Sequence, residues 1–297
     1  MEFVAEPKHI KDIALLKYAG ADVMVVFPEF FSAGNFDRIK VEELAVYKEE
    51  CERLKVRLFV DMTRMFVDQE MDQASVFLDK LQELKIDGIY FADLCVFELA
   101  SEKGMQHLCI YQPDTLITCS QEAALYLGFG MQAVCAAREL TLAEYLEIAK
   151  DNPQQMEVFV HGIPLMSFSK RHLISNYFDE ISYQGERKSF YYLKEEKREE
   201  RMPVAEDEQG TRFYGGYCQQ SYAEIVQLQE AGVKYARIQS QFLDTIAVVR
   251  ALQGYRDVLR HKMPAQEALQ QTEEAYPDMR FTSGFYYTKT SAKREDL

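Results

Sequence analysis

The stretch Tyr18-Ala-Gly-Ala-Asp-Val-Met-Val-Val26 joins the end of a helical segment directly to a short, β-rich run. The same join recurs in Ile86-Asp-Gly-Ile-Tyr-Phe91, in Leu127-Gly-Phe-Gly-Met-Gln-Ala-Val-Cys135 and in Ala231-Gly-Val-Lys-Tyr-Ala-Arg-Ile238. Glycine is favoured at the position after the last helical turn, because the backbone there often adopts the left-handed conformation, which costs glycine little. A tight helix-to-strand loop is the repeating join of α/β proteins, so the sequence predicts alternating strands and helices.

Eight short apolar runs have the length and composition of β-strands. They span residues 3–5, 22–27, 56–61, 88–92, 107–111, 133–136, 157–161 and 234–238. Most are continuously apolar rather than alternating, which is typical of parallel strands covered by helices. Helical patterns separate them; Val248, Leu252, Tyr255 and Leu259, for example, share one helix face. The sequence therefore predicts the α/β class, as a (β/α)8, TIM-like barrel.

The spacing of the strands breaks once, between the seventh and the eighth. About 70 residues separate these two strands, far more than an ordinary βα loop, so we expect a long α+β insertion there. The expected organisation is seven βα units in 1–161, the insertion in 162–220 and a closing helix–strand–helix in 221–262. A tail in 263–297 is expected to pack on the barrel or on the insertion.

Local signals refine this organisation. Within the insertion we expect a helix near 172–178, a solvated helix or hairpin face in the charged run 194–201, and a hairpin turn in 206–210. Two capping boxes, Thr141 with Glu144 and Ser221 with Glu224, are expected to begin helices. In each, the hydroxyl and the carboxylate can satisfy free N–H groups of the first turn.

The composition excludes several classes of protein. The 297 residues are 47% hydrophobic and 28% charged, the balance of a folded chain. The net charge of −14 disfavours unaided binding of nucleic acid or anionic lipid. The six cysteines form no C-x-x-C pair, so we expect free thiols rather than disulfides or a zinc site. Without a long apolar run or a signal-like start, the sequence favours a cytoplasmic location and no membrane partner.

Polar side chains follow nearly every predicted strand, at the barrel end where active sites of this fold lie. We expect Arg138 to clamp an anionic ligand near Glu29, Asp61 and Asp93. His161 is a candidate general acid or base. Alternatively, the carboxylates cap helices or pair with one another, and His161 is a hydrogen-bonded histidine at a strand end. The strand-end set comprises the candidate catalytic residues His161, Arg138, Asp61 and Asp93, the candidate ligand-binding residues Glu29, Glu6, Thr63 and Glu139, and also Gln112 and Gln239.

The segment Glu157-Val-Phe-Val-His-Gly-Ile-Pro-Leu-Met-Ser-Phe-Ser-Lys-Arg-His-Leu-Ile-Ser175 resembles the signature of peptidase family U32, the collagenase-like family. That signature reads roughly E-x-F-x-H-G-A-x-C-x-x-Y-S-G-x-C-x-x-S. Other family motifs are resembled by Ala19-Gly-Ala-Asp22, Asp87-Gly-Ile-Tyr-Phe-Ala-Asp93, Ala137-Arg-Glu-Leu140 and Phe281-Thr-Ser-Gly-Phe285. The ordered motifs extend along most of the chain.

The chain departs from the family pattern at the cysteines. In cluster-bearing relatives, cysteines of the signature and of the following insertion ligate an iron–sulfur cluster. Here Leu165 and His172 stand at the two signature cysteine positions, and Cys218 is similar in place to the last ligand. Because one thiolate cannot hold a four-cysteine cluster, the resemblance implies that this chain carries neither a cluster nor another metal. The family's K-I-E-G-R strand is here Arg237-Ile-Gln-Ser-Gln241, which lacks its acid and its final base.

The resemblance implies a role in RNA modification. Some family members take part in hydroxylation, and the Gram-positive, prephenate-dependent tRNA uridine 5-hydroxylation system pairs a shorter, cysteine-lacking member with a longer, cluster-bearing one. This chain resembles the shorter member. The resemblance thus implies a cluster-less subunit that acts on the tRNA wobble uridine with a cluster-bearing paralogue, contacts tRNA only within that heteromer, and uses prephenate as a possible substrate. A homodimer is the alternative assembly.

Two other functions stay open. The family label implies a genuine peptidase, but the sequence holds no G-x-S-x-G elbow, H-E-x-x-H helix, P-loop or other pattern that identifies a nucleophile or a metal. The other alternative is a non-catalytic barrel that binds a ligand or serves as a scaffold, since barrels host many functions.

Overall fold

The computed structural model describes residues 1–194, 196 and 200–288, and its centre is a closed barrel of eight parallel strands. These strands are β1 (Glu2–Ala5), β2 (Val23–Val26), β3 (Arg57–Met62), β4 (Gly88–Phe91), β5 (Cys109–Tyr111), β6 (Ala133–Cys135), β7 (Met156–His161) and β13 (Tyr235–Ile238). Every predicted strand is present, with its ends within two residues of the prediction. The predicted (β/α)8 barrel is therefore confirmed.

Helices follow the strands around the outside of the barrel. They are α1 (Asp12–Ala19), α2 (Leu44–Leu54), α3 (Met71–Glu83), α4 (Leu94–Glu102), α5 (Ser120–Leu127), α6 (Leu142–Asp151), α8 (Ile225–Glu230) and α9 (Thr245–Leu259). Gly20 is the C-cap residue that follows helix α1, and its φ of 120° shows why glycine stands at this join. The predicted capping box begins α6, where the Thr141 amide donates to Glu144 at 2.7 Å.

The second predicted capping box, Ser221 with Glu224, is wrong. The Ser221 hydroxyl donates instead to the Val160 carbonyl of β7, at 3.0 Å, and contacts the Tyr286 hydroxyl at 2.7 Å. Helix α8 begins only at Ile225, with Glu224 as its N-cap residue. The hydroxyl ties the segment to the barrel wall, so it is not available to the first turn of the helix.

Between β7 and β13, the described residues of the insertion form a small antiparallel sheet and a helix. Its elements are β8 (Leu165–Ser169), α7 (Leu173–Glu180), β9 (Phe190–Lys194), β10 (Arg201–Asp207) and β11 (Gly210–Tyr214), in the sheet order β8-β11-β10-β9. The predicted hairpin turn joins β10 to β11. Of the charged run 194–201, residues 195 and 197–199 lie outside the described residues.

The tail after α9 contacts both the barrel and the segment that leaves the insertion. Helix α10 (Ala265–Ala275) packs against α9. The short strand β14 (Phe281–Thr282) pairs in parallel with β12 (Cys218–Gln219). Residues 289–297 of the predicted tail are not described. No helix in the described part of the chain is long and apolar enough to span a membrane.

The barrel interior combines an apolar cluster with buried charges. The apolar residues are Val4, Val23, Val25, Phe27, Phe59, Tyr90, Ile110, Ala133, Cys135 and Tyr235. Arg237 of β13 donates through Nη2 to Glu6, just after β1, at 2.8 Å, and its Nη1 lies 3.9 Å from Glu157 of β7. The Tyr90 hydroxyl also donates to Glu157. These contacts link four strands across the interior of the barrel.

Candidate ligand-binding site at the barrel mouth

A cavity of about 310 Å³ lies at the carboxyl end of the barrel, between the strand ends and the insertion sheet. Four predicted strand-end residues line it: Thr63, Gln112, Arg138 and Gln239. The insertion contributes the opposite wall through Leu165, Phe168, Lys170, Gln209, Arg212 and Tyr214. The cavity is at the lower end of the size range of small-molecule sites.

Four cationic side chains line this cavity: Arg64, Arg138, Lys170 and Arg212. The Arg138 side chain is 12% exposed and lies 5.0 Å from the centre of the Phe159 ring. Its two terminal nitrogens donate to Gln239 at 3.3 Å and to Asp114 at 3.1 Å. A guanidinium held over a ring by two polar partners is preorganised to bind a carboxylate or phosphate.

Arg64 and Arg212 are fixed from opposite sides of the cavity. Arg64 lies over the Phe30 ring at 4.1 Å and donates to Glu70 at 2.7 Å. Arg212 is 2% exposed at its side chain and donates to Asp207 at 2.9 Å. Because each guanidinium already has a carboxylate partner, the cavity is polar and only modestly cationic.

Three buried polar atoms at or next to the cavity have no hydrogen-bond partner: Arg64 Nη1, Gln112 Oε1 and Asp61 Oδ2. Unpartnered buried polar groups are costly, so their presence together points to a ligand or water that completes them. Asp61 lies just behind the cavity wall, because a Cβ atom on Gly34, a lining residue, would stand 3.0 Å from its Oδ2.

Burial raises the pKa of Asp61 to about 6, although two hydrogen bonds from Thr63 lower it. The Thr63 amide and hydroxyl both donate to Oδ1, at 3.2 and 2.8 Å. The other oxygen is therefore the site of protonation. Near neutral pH the carboxyl can pass between its charged and neutral forms, which suits a group that exchanges a proton or a hydrogen bond with a polar ligand.

Glu6 does not line the cavity, because it is bound inside the barrel. Its carboxylate accepts from Arg237, from Asn35 at 2.8 Å and from the Ser240 amide at 2.9 Å, and the residue is 2% exposed. With both oxygens occupied, Glu6 has no free acceptor for a ligand. The structure therefore gives Glu6 a structural contact in place of the predicted ligand contact.

The structure does not bring Glu29, Asp93 or Glu139 into the cavity lining. Asp93 is the N-cap of α4, where it accepts from the amides of Cys95 at 3.2 Å and of Phe66 at 3.0 Å. Glu29 and Glu139 are exposed to solvent. For Asp93 the helix-capping alternative matches the contacts that the structure shows. The predicted cluster of Glu29, Asp61 and Asp93 around Arg138 is not assembled.

His161 lies outside the cavity and is 2% exposed. Its Nδ1 is 3.2 Å from the Tyr255 hydroxyl of α9, and its Nε2 is 3.7 Å from Cys218 Sγ. The cause is a β-bulge: Phe159 is paired with Arg237 and His161 with the next residue, Ile238, so Val160 is left out of the register. A bulge redirects the following side chain, here into the layer between barrel and helices. Burial lowers the pKa of His161 to about 4.

The residues at the cluster-ligand positions do not form a donor set. Leu165 has no ligating atom, and His172 is half exposed, 3.8 Å from Glu206. Cys218 is buried, and burial raises the pKa of its thiol to about 12, so it is protonated at neutral pH. The residues described here contain no group of three or more His, Cys, Asp or Glu that could hold a metal ion. The side chains present do not fit a four-cysteine cluster.

Of the four cations that line the cavity, only Arg138 belongs to the predicted strand-end set. Arg64 stands two residues past the end of β3 and directly after Thr63, so its place next to the strand end is the signal that points to it. Lys170 and Arg212 belong to the insertion, where no repeating pattern indicates which side chains turn towards the barrel. Their place depends on how the insertion sheet folds over the mouth.

Comparisons with known proteins agree with this architecture. The sequence profile of peptidase family U32 matches residues 10–296. The chain is 24% identical to "tRNA hydroxylation protein P2" of Bacillus subtilis (strain 168), over 97% of this chain and 98% of that protein. It is 23% identical to "tRNA hydroxylation protein P1" of the same organism, over 59% of this chain and 42% of P1.

Among solved structures, phosphoribosyl anthranilate isomerase from Thermus thermophilus superposes with a TM-score of 0.51 at 10% identity. The superposition covers 89% of this chain and 100% of the isomerase chain. At this identity the likeness concerns the barrel fold alone.

Proposed function

The chain belongs to peptidase family U32, and we propose that it is a cluster-less participant in tRNA hydroxylation. One observation carries the proposal: the similarity to tRNA hydroxylation protein P2 covers 97% of this chain and 98% of that protein. A similarity over both whole chains includes the insertion and the tail as well as the barrel.

The proposed reaction is 5-hydroxylation of the wobble uridine, carried out together with a cluster-bearing paralogue. Two observations support a pair of proteins. The segment that is similar to P1 makes up 59% of this chain but only 42% of P1, so P1 is longer than this chain. Because P2 and this chain match over nearly their whole lengths, P1 is also the longer of the two B. subtilis proteins. In addition, Leu165, His172 and Cys218 supply no donor set for a cluster of their own. We expect the pair to work in the cytoplasm.

We further propose that the barrel mouth binds a small dicarboxylate such as prephenate. Arg138 and Arg64 would take the two carboxylates, and the unpartnered Gln112 and Asp61 oxygens would meet a hydroxyl group or water. The role of this chain would then be to bind and orient the small acid, while a basic surface for tRNA comes in part from the paralogue.

The experiment is nucleoside mass spectrometry of total tRNA from a strain that lacks the gene, beside wild type and a complemented strain. We expect 5-hydroxyuridine-derived nucleosides to disappear in the deletion strain and to return on complementation. Affinity purification of the tagged protein from the complemented strain should bring down the paralogue. Unchanged nucleosides in the deletion strain, with no related gene that compensates, would contradict the proposal.

Among the residues that the structure describes, no specific contact favours the peptidase alternative. In the described part of the chain, the cysteine–histidine contact is that of Cys218 with His161, and both side chains are buried. The raised pKa of the thiol and the lowered pKa of the imidazole leave both groups neutral at pH 7. An activated thiolate–imidazolium pair requires the opposite shifts.

A further inference from the structure

A second cavity lies beside the mouth, between the insertion sheet and the tail, and we call it the aromatic cleft. Its volume is about 360 Å³. Four aromatic side chains and two arginines line it: Tyr192, Tyr217, Phe242, Tyr276, Arg201 and Arg280. None of these residues belongs to the strand-end set of the barrel mouth.

Tyr192 presents an open ring to this cleft. It is 58% exposed, and its ring is held edge-on by Phe190, with the two centroids 5.7 Å apart. The register pairs Tyr192 with Pro203 and Lys194 with Arg201. In an antiparallel pair, paired residues and residues two apart lie on one face of the sheet. The tyrosine ring and the Arg201 guanidinium therefore stand on the same face.

The charge of the insertion differs from that of the rest of the chain. Residues 162–220 contain nine basic and ten acidic residues, so nearly all of the net charge of −14 lies outside the insertion. Arg280 is paired with Glu200. Arg201 and Lys194 form no ion pair with another described residue. Of the two arginines that line the cleft, Arg201 thus has no ion-pair partner among the described residues, and it stands next to an exposed aromatic ring on a molecule that otherwise repels anions.

Exposed aromatic rings beside arginines are the features by which proteins hold unpaired nucleotides: the base stacks on the ring and the phosphate meets the cation. We propose that the aromatic cleft holds an unpaired nucleotide of an RNA, with its base on Tyr192 and a phosphate on Arg201. That this RNA is tRNA rests on the proposed function. A cleft of this size matches one nucleotide better than a protein partner, which needs a broad surface.

The cleft lies next to the cavity at the barrel mouth. Phe242, which lines the cleft, contacts Tyr214, which lines the mouth. An RNA loop held at Tyr192 therefore lies next to the cavity proposed for the small acid. The insertion would then contribute directly to RNA binding, and the paralogue would supply the remainder.

The test is fluorescence anisotropy with the full-length protein, alone and with the partner that co-purifies with it. The probe is an unmodified tRNA transcript, compared with the same transcript whose anticodon loop is covered by a complementary oligonucleotide. The variants are Tyr192→Ala, Tyr192→Phe and Arg201→Gln. The matched controls are Tyr177→Ala, which removes a ring that is 60% exposed on α7, and Arg171→Gln, which removes an exposed cation outside the cleft.

We expect Tyr192→Ala to weaken binding of the open transcript about tenfold or more, the effect of losing one stacked base. Tyr192→Phe should retain the affinity, because it retains the ring. Arg201→Gln should reduce the salt dependence, the slope of log K against log salt, by about 0.7, the value of one phosphate contact on a single strand. The two control variants should bind as wild type, and covering the loop should abolish the difference between Tyr192→Ala and wild type.

The inference would be overturned if Tyr192→Ala and wild type bound tRNA with equal affinity, or if wild type bound no tRNA in either preparation. It would also be overturned if Tyr192→Ala lost the co-purified partner while its affinity for tRNA stayed unchanged. The last would make the cleft a protein interface. The proposed function is judged separately, by the nucleosides of the deletion strain. If they are unchanged while Tyr192→Ala still weakens RNA binding, that function fails and the cleft assignment stands.

Discussion

Tyr214 and Phe242 meet edge to face, with ring centroids 4.9 Å apart and planes at 85°, and they stand between the mouth cavity and the aromatic cleft. Tyr214 comes from β11 of the insertion, and Phe242 comes from the loop after β13. This one pair therefore joins the insertion to the barrel and forms a common wall of the mouth and the cleft. Such pairs add about 0.5–1.5 kcal/mol beyond the area they bury.

Arg138→Gln should weaken binding of prephenate to the purified protein about 10- to 100-fold. The variant loses the charge-assisted hydrogen bonds to a carboxylate, each of which is worth about 1.5–3 kcal/mol. Arg138→Lys should restore only part of the affinity, because lysine lacks the planar fork. Isothermal titration calorimetry measures the affinity. Arg53→Gln, which removes an exposed arginine from α2, is the matched control and should bind as wild type. Equal affinities of Arg138→Gln and Arg53→Gln would contradict the assignment.

Asp61→Asn should stabilise the protein at pH 7.5 by about 3 kcal/mol, which corresponds to about two pKa units. Burial raises the pKa of Asp61 from 3.8 to about 6, so the folded protein binds more protons than the unfolded chain between these values. The contribution of Asp61 to the free energy of unfolding is therefore largest at low pH, and it is lost as the pH rises through the range between the two pKa values. The asparagine oxygen can still accept from Thr63.

Urea unfolding of Asp61→Asn and wild type at pH 4, 5, 6 and 7.5 tests this. The two free energies of unfolding should differ most at pH 7.5 and converge towards pH 4. A difference that does not depend on pH would show that the carboxyl keeps its ordinary pKa. If the mouth uses Asp61 for its ligand, the more stable variant should also bind prephenate less tightly.

Glu6→Gln should destabilise the protein by about 3–5 kcal/mol, because it leaves the Arg237 charge buried without its main partner. The double variant Glu6→Gln with Arg237→Met should recover much of this loss, since it removes the unpaired charge. Thermal and urea unfolding give the values. Glu50→Gln, in an exposed ion pair of α2, is the control and should change stability little. If Glu6→Gln changed stability little but weakened ligand binding, the result would support the ligand contact that the sequence predicts for Glu6.

His161→Gln should leave tRNA hydroxylation unchanged per amount of folded protein, because His161 lies between barrel and helices rather than in the mouth. The low pKa of about 4 against an ordinary 6.5 means that the unfolded chain binds a proton first as the pH falls. Wild type should therefore lose about 3 kcal/mol of stability from this group between pH 6.5 and 4, and the variant should not. His172→Gln, at an exposed position, should alter neither property. Loss of hydroxylation in well-folded His161→Gln would support the catalytic role expected from the sequence.

The barrel could be predicted because its signals are local. Most of the strands are continuous apolar runs, and residues such as Gly20 mark the joins by their backbone conformation alone. Arg138 could be assigned to the mouth for the same reason, since it lies in the short loop after β6, three residues past the end of that strand. These features depend on a few neighbouring residues and on a repeat that the whole chain follows.

The remainder depends on contacts between distant segments. The bulge at Val160 has no signature in the residues of β7, yet it moves His161 from the expected mouth into the helix layer. The Ser221 hydroxyl could cap a helix or bind the barrel wall, and in the structure it donates to the carbonyl of Val160. Arg212 contacts Phe36 only because the insertion folds back over the mouth. Such outcomes follow from tertiary packing, which periodicity does not encode.

The contact between Glu6 and Arg237 also bears on how a nascent chain folds. The two residues are 231 positions apart in sequence, and β13 lies between β1 and β7 in the barrel. During synthesis the first seven strands leave the ribosome as an open sheet with two unpaired edges and with the Glu6 carboxylate lacking its partner. Only when β13 has emerged can the edges join and the charge be neutralised. This chain should therefore depend on chaperones most during synthesis of the insertion, when the edges are longest exposed.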